Sequence, residues 1–138
     1  MNMEEITVET AASRIMKKNR EFYDAIENQN MHSLKNIWLI SDESSCVHPG
    51  WHRVKSFDSI ISTWDAIFKS NTQMHFSLQD ISVSVHSEVA VVNLTERVIF
   101  ELLDDISEFK VNSTNIFKLR ENEWKLMVHH ASPILEQR

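Results

Sequence analysis

The sequence predicts one α+β domain in which N-terminal helices close a curved antiparallel sheet over a pocket. Three observations carry this. Apolar residues recur at helical spacing as far as Phe68 and alternate from Met74 onward. Helices followed by a run of strands is the α+β order. The phase of the alternation slips by one residue near Asp80, which requires a bulge, and bulges bend sheets.

The helices come first. Thr10 caps a segment running to about Asn28, with apolar positions at Ala12, Ile15, Met16, Phe22, Tyr23 and Ile26. Asn30 is placed to cap a short helix carrying Met31, Leu34, Ile37 and Trp38. Ser56 caps the third, where Phe57, Ile60, Ile61, Trp64, Ile67 and Phe68 keep the i, i+3, i+4 rule throughout. The strands follow. Met74, Phe76 and Leu78 alternate, then Ile81, Val83 and Val85 in the opposite parity, with further strands at about Glu88–Leu103, Phe109–Arg120 and Trp124–Ser132.

Short gaps between strands imply hairpins, and hairpin loops set register. A loop at Glu121-Asn122 puts Phe117 opposite Leu126, Asn115 opposite Val128 and Ser113 opposite His130. A loop at Asp104-Asp105 puts Glu96 opposite Ser113, and one at His86-Ser87 puts Val83 opposite Ala90. All three registers gather apolar residues on one face. The exceptions, Glu96, Ser113, Asn115 and His130, fall together, and His129 turns to the other face. A buried carboxylate is costly without a partner or a wet cavity. The polar row therefore reads either as the lining of a pocket or as a satisfied network closing the core. In the pocket reading His130 is the titrating group. Glu96 orients it or shares its proton, and Ser113 and Asn115 bond the ligand. His48, before the third helix, stands near the mouth, and Trp64 stacks on the ligand or joins the core.

Composition narrows the function classes. The 138 residues suffice for one ordinary domain, and 42% hydrophobic with 25% charged residues is a globular balance. A net charge of −6 without a basic cluster argues against nucleic acid or an anionic membrane as partner. Cys46, the lone cysteine, reads as a small core residue in a reducing compartment. Met1–Glu9 is acidic, without a signal core, and no apolar run approaches the roughly 20 residues of a membrane span, so a soluble cytoplasmic protein is expected. His48 and His52 are spaced i, i+4 but lack a third metal ligand, and one glycine permits neither a phosphate loop nor a dinucleotide fingerprint. No cofactor or metal is expected.

Several stretches carry a resemblance: Cys46-Val47-His48-Pro49-Gly50-Trp51, the Ser56–Phe68 helix with Trp64, Thr114-Asn115-Ile116-Phe117, and above all Trp124 to His129-His130-Ala131-Ser132-Pro133. From about Ile15 to Pro133 the chain resembles the SnoaL-like branch of the nuclear transport factor 2-like superfamily. The resemblance implies a cone-shaped α+β fold with a deep pocket, commonly a homodimer through the sheet. Implied activities include isomerase, cyclase and dehydratase chemistry on a small apolar or carboxylate-bearing ligand. The steroid isomerases of that superfamily carry a Tyr and two Asp in the cavity. Tyr23 lies on the first helix and is a candidate ligand contact, but no Asp falls on the core face of the long strands, so their pattern is not clearly met. The superfamily also holds association domains that only oligomerise. Likeness to those would make Asn93 a lumen residue, whereas the register turns it outward. An interaction module is thus the second reading. Apolar residues on the other sheet face, Val89, Val91, Ile99, Met127 and Ala131, support it.

Overall fold

The computed structural model describes residues 10–135. The acidic Met1–Glu9 stretch lies outside them. Helix α1 spans Ala11–Glu27, α2 Met31–Ile37 and α3 Phe57–Lys69. Each begins at the expected cap: Thr10 accepts from the Ser13 amide at 3.0 Å, Asn30 from Ser33 at 3.1 Å, and Ser56 from Ser59 at 3.4 Å. These bonds satisfy amides that the first helical turn leaves orphaned.

The strands are β1 (Ser45–Val47), β2 (Val54–Lys55), β3 (Thr72–His86), β4 (Val89–Leu102), β5 (Asp105–Arg120) and β6 (Glu123–Pro133). They form one sheet in the order β2-β1-β6-β5-β4-β3, antiparallel except where β1 runs parallel to β6. The first two strands went unforeseen, because two or three residues are too few to show alternation. The expected bulge is present: the β3–β4 register shifts between Gln79 and Ser82, with Asp80 at φ 51°.

Two hairpin registers differ from expectation by two residues. The loops are Ser87-Glu88 and Leu103-Asp104, so Val83 faces Val92, and Glu96 faces Val111. Moving a two-residue loop by one position changes the register by two, which keeps every side chain on its face. The third hairpin turns at Glu121-Asn122 as expected, both residues at positive φ, and pairs Phe117 with Leu126.

There β6 departs from a regular ladder. Phe117 faces Leu126, but Ile116 faces Val128, so Met127 is an extra residue. From Val128 onward the parity is reversed. His129 faces Asn115 and is buried, while His130 faces Thr114 and is exposed. This overturns the inward placement of His130, and Ala131 likewise turns into the core. The outer edge of β6 gives the cause. The Leu126 carbonyl is bonded by the Leu39 amide at 2.8 Å, whereas Val128 pairs with Ser45 of β1, so Met127 spans a change of neighbour.

Helices α1 and α3 cover the concave face. Phe22 is the hub, its ring centroid 5.1 Å from Tyr23, 6.0 Å from both Trp38 and Trp64, and 5.0 Å from His129. Edge-to-face packing at these distances adds attraction beyond burial alone. On the opposite face Asn93 is exposed and accepts from the Thr114 hydroxyl at 2.8 Å, outward as the register requires.

Candidate functional site

Between the helices and β3–β6 lies a cavity of about 260 Å³. Met74, Phe76, Val98, Phe100 and Phe109 give it apolar walls, and its polar lining includes Tyr23, Glu96, His48 and His129, with Ser70 and Thr72. The Phe100 and Phe109 rings stack at 4.7 Å. Trp51, 47% exposed, stands at the mouth.

Glu96 is the one carboxylic acid in the lining of this cavity among the described residues. It is 3% exposed, and among the described residues no cationic side chain reaches it. Its Oε2 accepts from the Tyr23 hydroxyl and from the Ser113 hydroxyl, each at 2.6 Å. Glu96 pairs directly with Val111, so Ser113 reaches it on the diagonal, within range for cross-strand neighbours. Burial pushes the Glu96 carboxyl above the usual range, and the two hydroxyls restrain that rise. The Tyr23 phenol is pushed well up by burial and by the facing carboxylate. Oε1 has no protein partner among the described residues and is not sealed from the cavity that Glu96 lines.

The network continues away from the carboxylate. Asn115 Nδ2 donates to Tyr23 Oη at 3.1 Å and to Asn19 Oδ1 at 2.8 Å, and Asn115 Oδ1 lies 2.6 Å from His129 Nδ1. Burial, with His48 and His130 nearby, lowers His129 to about 3. Burial alone lowers His48 to about 4. Both rings are therefore neutral at pH 7.

His48 follows directly on β1, which lies beside β6, and its ring is held between Trp51 and Trp64 with both centroids at 4.6 Å. Its Nε2 meets Thr63 Oγ1 at 2.9 Å, and that hydroxyl donates to the Ile60 carbonyl. The Thr63 oxygen thus accepts, and His48 carries its proton on Nε2. Cys46 is fully buried, its thiol pushed up by burial. His52 is exposed, and among the described residues no cluster of three metal-binding side chains exists.

The structure therefore brings Tyr23, Glu96, His48 and Trp64 to the cavity and joins Ser113 and Asn115 to them behind its wall. It leaves His130 on the outside. Trp51, His129 and Asn19 were not foreseen. Parity puts Phe100 and Phe109 on the core face from sequence, although the two stack across the diagonal and do not pair directly. Nothing in the sequence marks Asn19, a polar residue on the buried side of α1.

Comparison with known proteins places this arrangement in a family. The SnoaL-like domain model matches residues 15–136, and the chain belongs to that family. The F-box protein SKIP8 of Arabidopsis thaliana is 23% identical over 121 residues, covering 88% of this chain and 50% of that protein. The chain thus spans about half the length of the curated relative it matches. A structure from Streptomyces avermitilis, named a "putative dehydratase from the NTF2-like family", is 29% identical with a TM-score of 0.85, covering 91% of this chain and 96% of that one. A nuclear transport factor 2 superfamily protein of Salmonella enterica shares the fold at a TM-score of 0.81 and 13% identity, covering 90% of this chain and 91% of its own.

Proposed function

We propose that this chain is a single SnoaL-like domain that binds a small, uncharged, mainly apolar molecule in its cavity, with Glu96 as the proton-transferring group. One observation carries the reading: a buried carboxylate, anchored by two hydroxyls on one oxygen and with no cationic partner among the described residues, in a cavity walled mainly by apolar side chains. A side chain so costly to bury is explained by work done there. In its ionised form Glu96 can take a proton from carbon or oxygen of the ligand through Oε1, and in its protonated form return one. The Streptomyces neighbour, 29% identical, lends support to chemistry of the dehydratase kind. The lining holds no Lys or Arg and both its histidines are neutral, which disfavours the carboxylate-bearing ligand considered from sequence.

The test uses 2-tetralone, an uncharged bicyclic ketone with exchangeable α-hydrogens. In D2O the protein accelerates deuterium uptake at that carbon above the buffer rate, and Glu96→Gln returns it to the buffer rate. Equal exchange in both proteins overturns the role of Glu96. Met74→Trp, which fills the cavity, abolishes binding, and unaltered binding in that variant overturns the location.

A second reading is favoured by the outer sheet face. Val91, Ile116 and Val128 pair across β4, β5 and β6 as a continuous apolar row, half-buried in the single chain. We propose that it forms a homodimer contact. If the cavity is inert, that contact is the function. No helix among the described residues is long and apolar enough to cross a membrane. A cytoplasmic location is proposed on the free, buried Cys46.

A further inference from the structure

Asn115 stands where three polar side chains meet, and its amide has a limited supply of hydrogens. Both hydrogens of Nδ2 are used, one toward Asn19 Oδ1 and one toward Tyr23 Oη. Its Oδ1, 2.6 Å from His129 Nδ1, can only accept. His129 therefore carries its proton on Nδ1, and Nε2 is left as a bare lone pair. That nitrogen has no protein partner among the described residues and is not sealed from the cavity that His129 lines. The same amide settles the other branch. Because Tyr23 Oη accepts from Asn115, its own hydrogen goes to Glu96 Oε2, where the Ser113 hydrogen also goes. With Oε2 occupied twice, a proton on Glu96 resides on Oε1.

We propose that Asn115 is a positioning residue that sets the hydrogen-bond polarity of the cavity, and that the ligand is an uncharged molecule donating a hydrogen bond, from a hydroxyl or N–H, to His129 Nε2. The second half rests on the cavity being the binding site and adds the chemical class that it takes. An ether of the same shape leaves the Nε2 lone pair unmatched, and leaving a buried polar atom unpaired on binding is what discriminates most sharply between analogues. A carboxylate of that shape would bring an anion against a lone pair and an acidic side chain, with no Lys or Arg in the lining.

Two measurements on the wild-type protein decide this. With 15N-labelled histidine, long-range 1H–15N correlation of the free protein at pH 7 shows His129 as the Nδ1–H tautomer, with His129→Gln supplying the assignment. An Nε2–H or averaged signal overturns the role of Asn115. Asn115→Asp, which keeps the acceptor beside His129 but adds a charge, leaves both ring nitrogens protonated at pH 6, a signature that lost packing alone does not produce. If that variant does not fold, the wild-type spectrum still decides.

Binding is read by thermal shift and titration with 2-naphthol, 2-methoxynaphthalene and 2-naphthoate. The naphthol binds at least tenfold more tightly than the other two. Equal affinity for naphthol and its methyl ether overturns the donor class while the cavity reading stands. Binding that Met74→Trp leaves unaltered lies outside the cavity and fails the cavity reading, and the tautomer still judges Asn115.

Discussion

Burial sets the acid–base behaviour of three residues, and it sets them in opposite senses. His48 and His129 titrate at about 4 and about 3 in the folded protein, below the roughly 6.5 of an unfolded chain. The unfolded chain therefore takes up protons that the folded one refuses. Their contribution is complete above pH ~6.5 and is lost as the pH falls toward the folded values. Glu96 is raised, so its contribution is present below its unfolded value of about 4.3 and is lost as the pH rises through the folded one. Replacing His129 with Gln should flatten the acid limb. Denaturant titrations should show the wild type losing on the order of 2 kcal/mol more than His129→Gln between pH 7 and pH 5. Equal losses would show that His129 is not held neutral by the fold.

At the scale of the element, β6 shows what patterning can and cannot read. Thr10, Asn30 and Ser56 were legible as caps because capping needs only a short side chain before a periodic run. The inward side of β4 and β5 was legible even though both loops shifted, because a shift of two residues preserves parity. So Glu96, Ser113 and Asn115 were found. His129 was missed because Met127 is an unmarked bulge: no glycine or proline signals it, and its cause lies in β1 and Leu39, elements with no alternation of their own. The Asp80 bulge was legible because there the apolar pattern itself changes phase. This predicts that deleting Met127 is tolerated. Val128 then continues directly from Leu126, opposite Ile116, and His129 still meets Asn115. We expect a stability change within about 1 kcal/mol, against several for deleting Thr114, which reverses every inward residue of one flank of β5. Comparable losses on urea denaturation would mean that the bulge itself is needed.

For the whole molecule, the two sheet faces differ in character. The concave face holds the cavity under α1 and α3. The outer face presents Val91, Ile116 and Val128 in one row, with Asn93 and Thr114 bonded beside it. The proposal of a contact surface here rests on the row's continuity across three strands. Light scattering at micromolar concentration should give twice the chain mass, and Ile116→Lys should halve it without moving the far-UV circular dichroism. A monomeric wild type would remove the dimer contact. In the F-box relative the matched part is about half of a longer chain.

The mouth of the cavity has an optical consequence. Of the four tryptophans, Trp38, Trp64 and Trp124 are buried and Trp51 alone is half-exposed. Excited indoles inside emit toward the blue, while Trp51 emits from a wet environment at the rim, against the His48 ring. The red edge of the emission thus reports on one residue at the entrance. The chain carries its own fluorophore in the lining of the cavity proposed to bind, and occupancy there is expected to be readable as colour without a label.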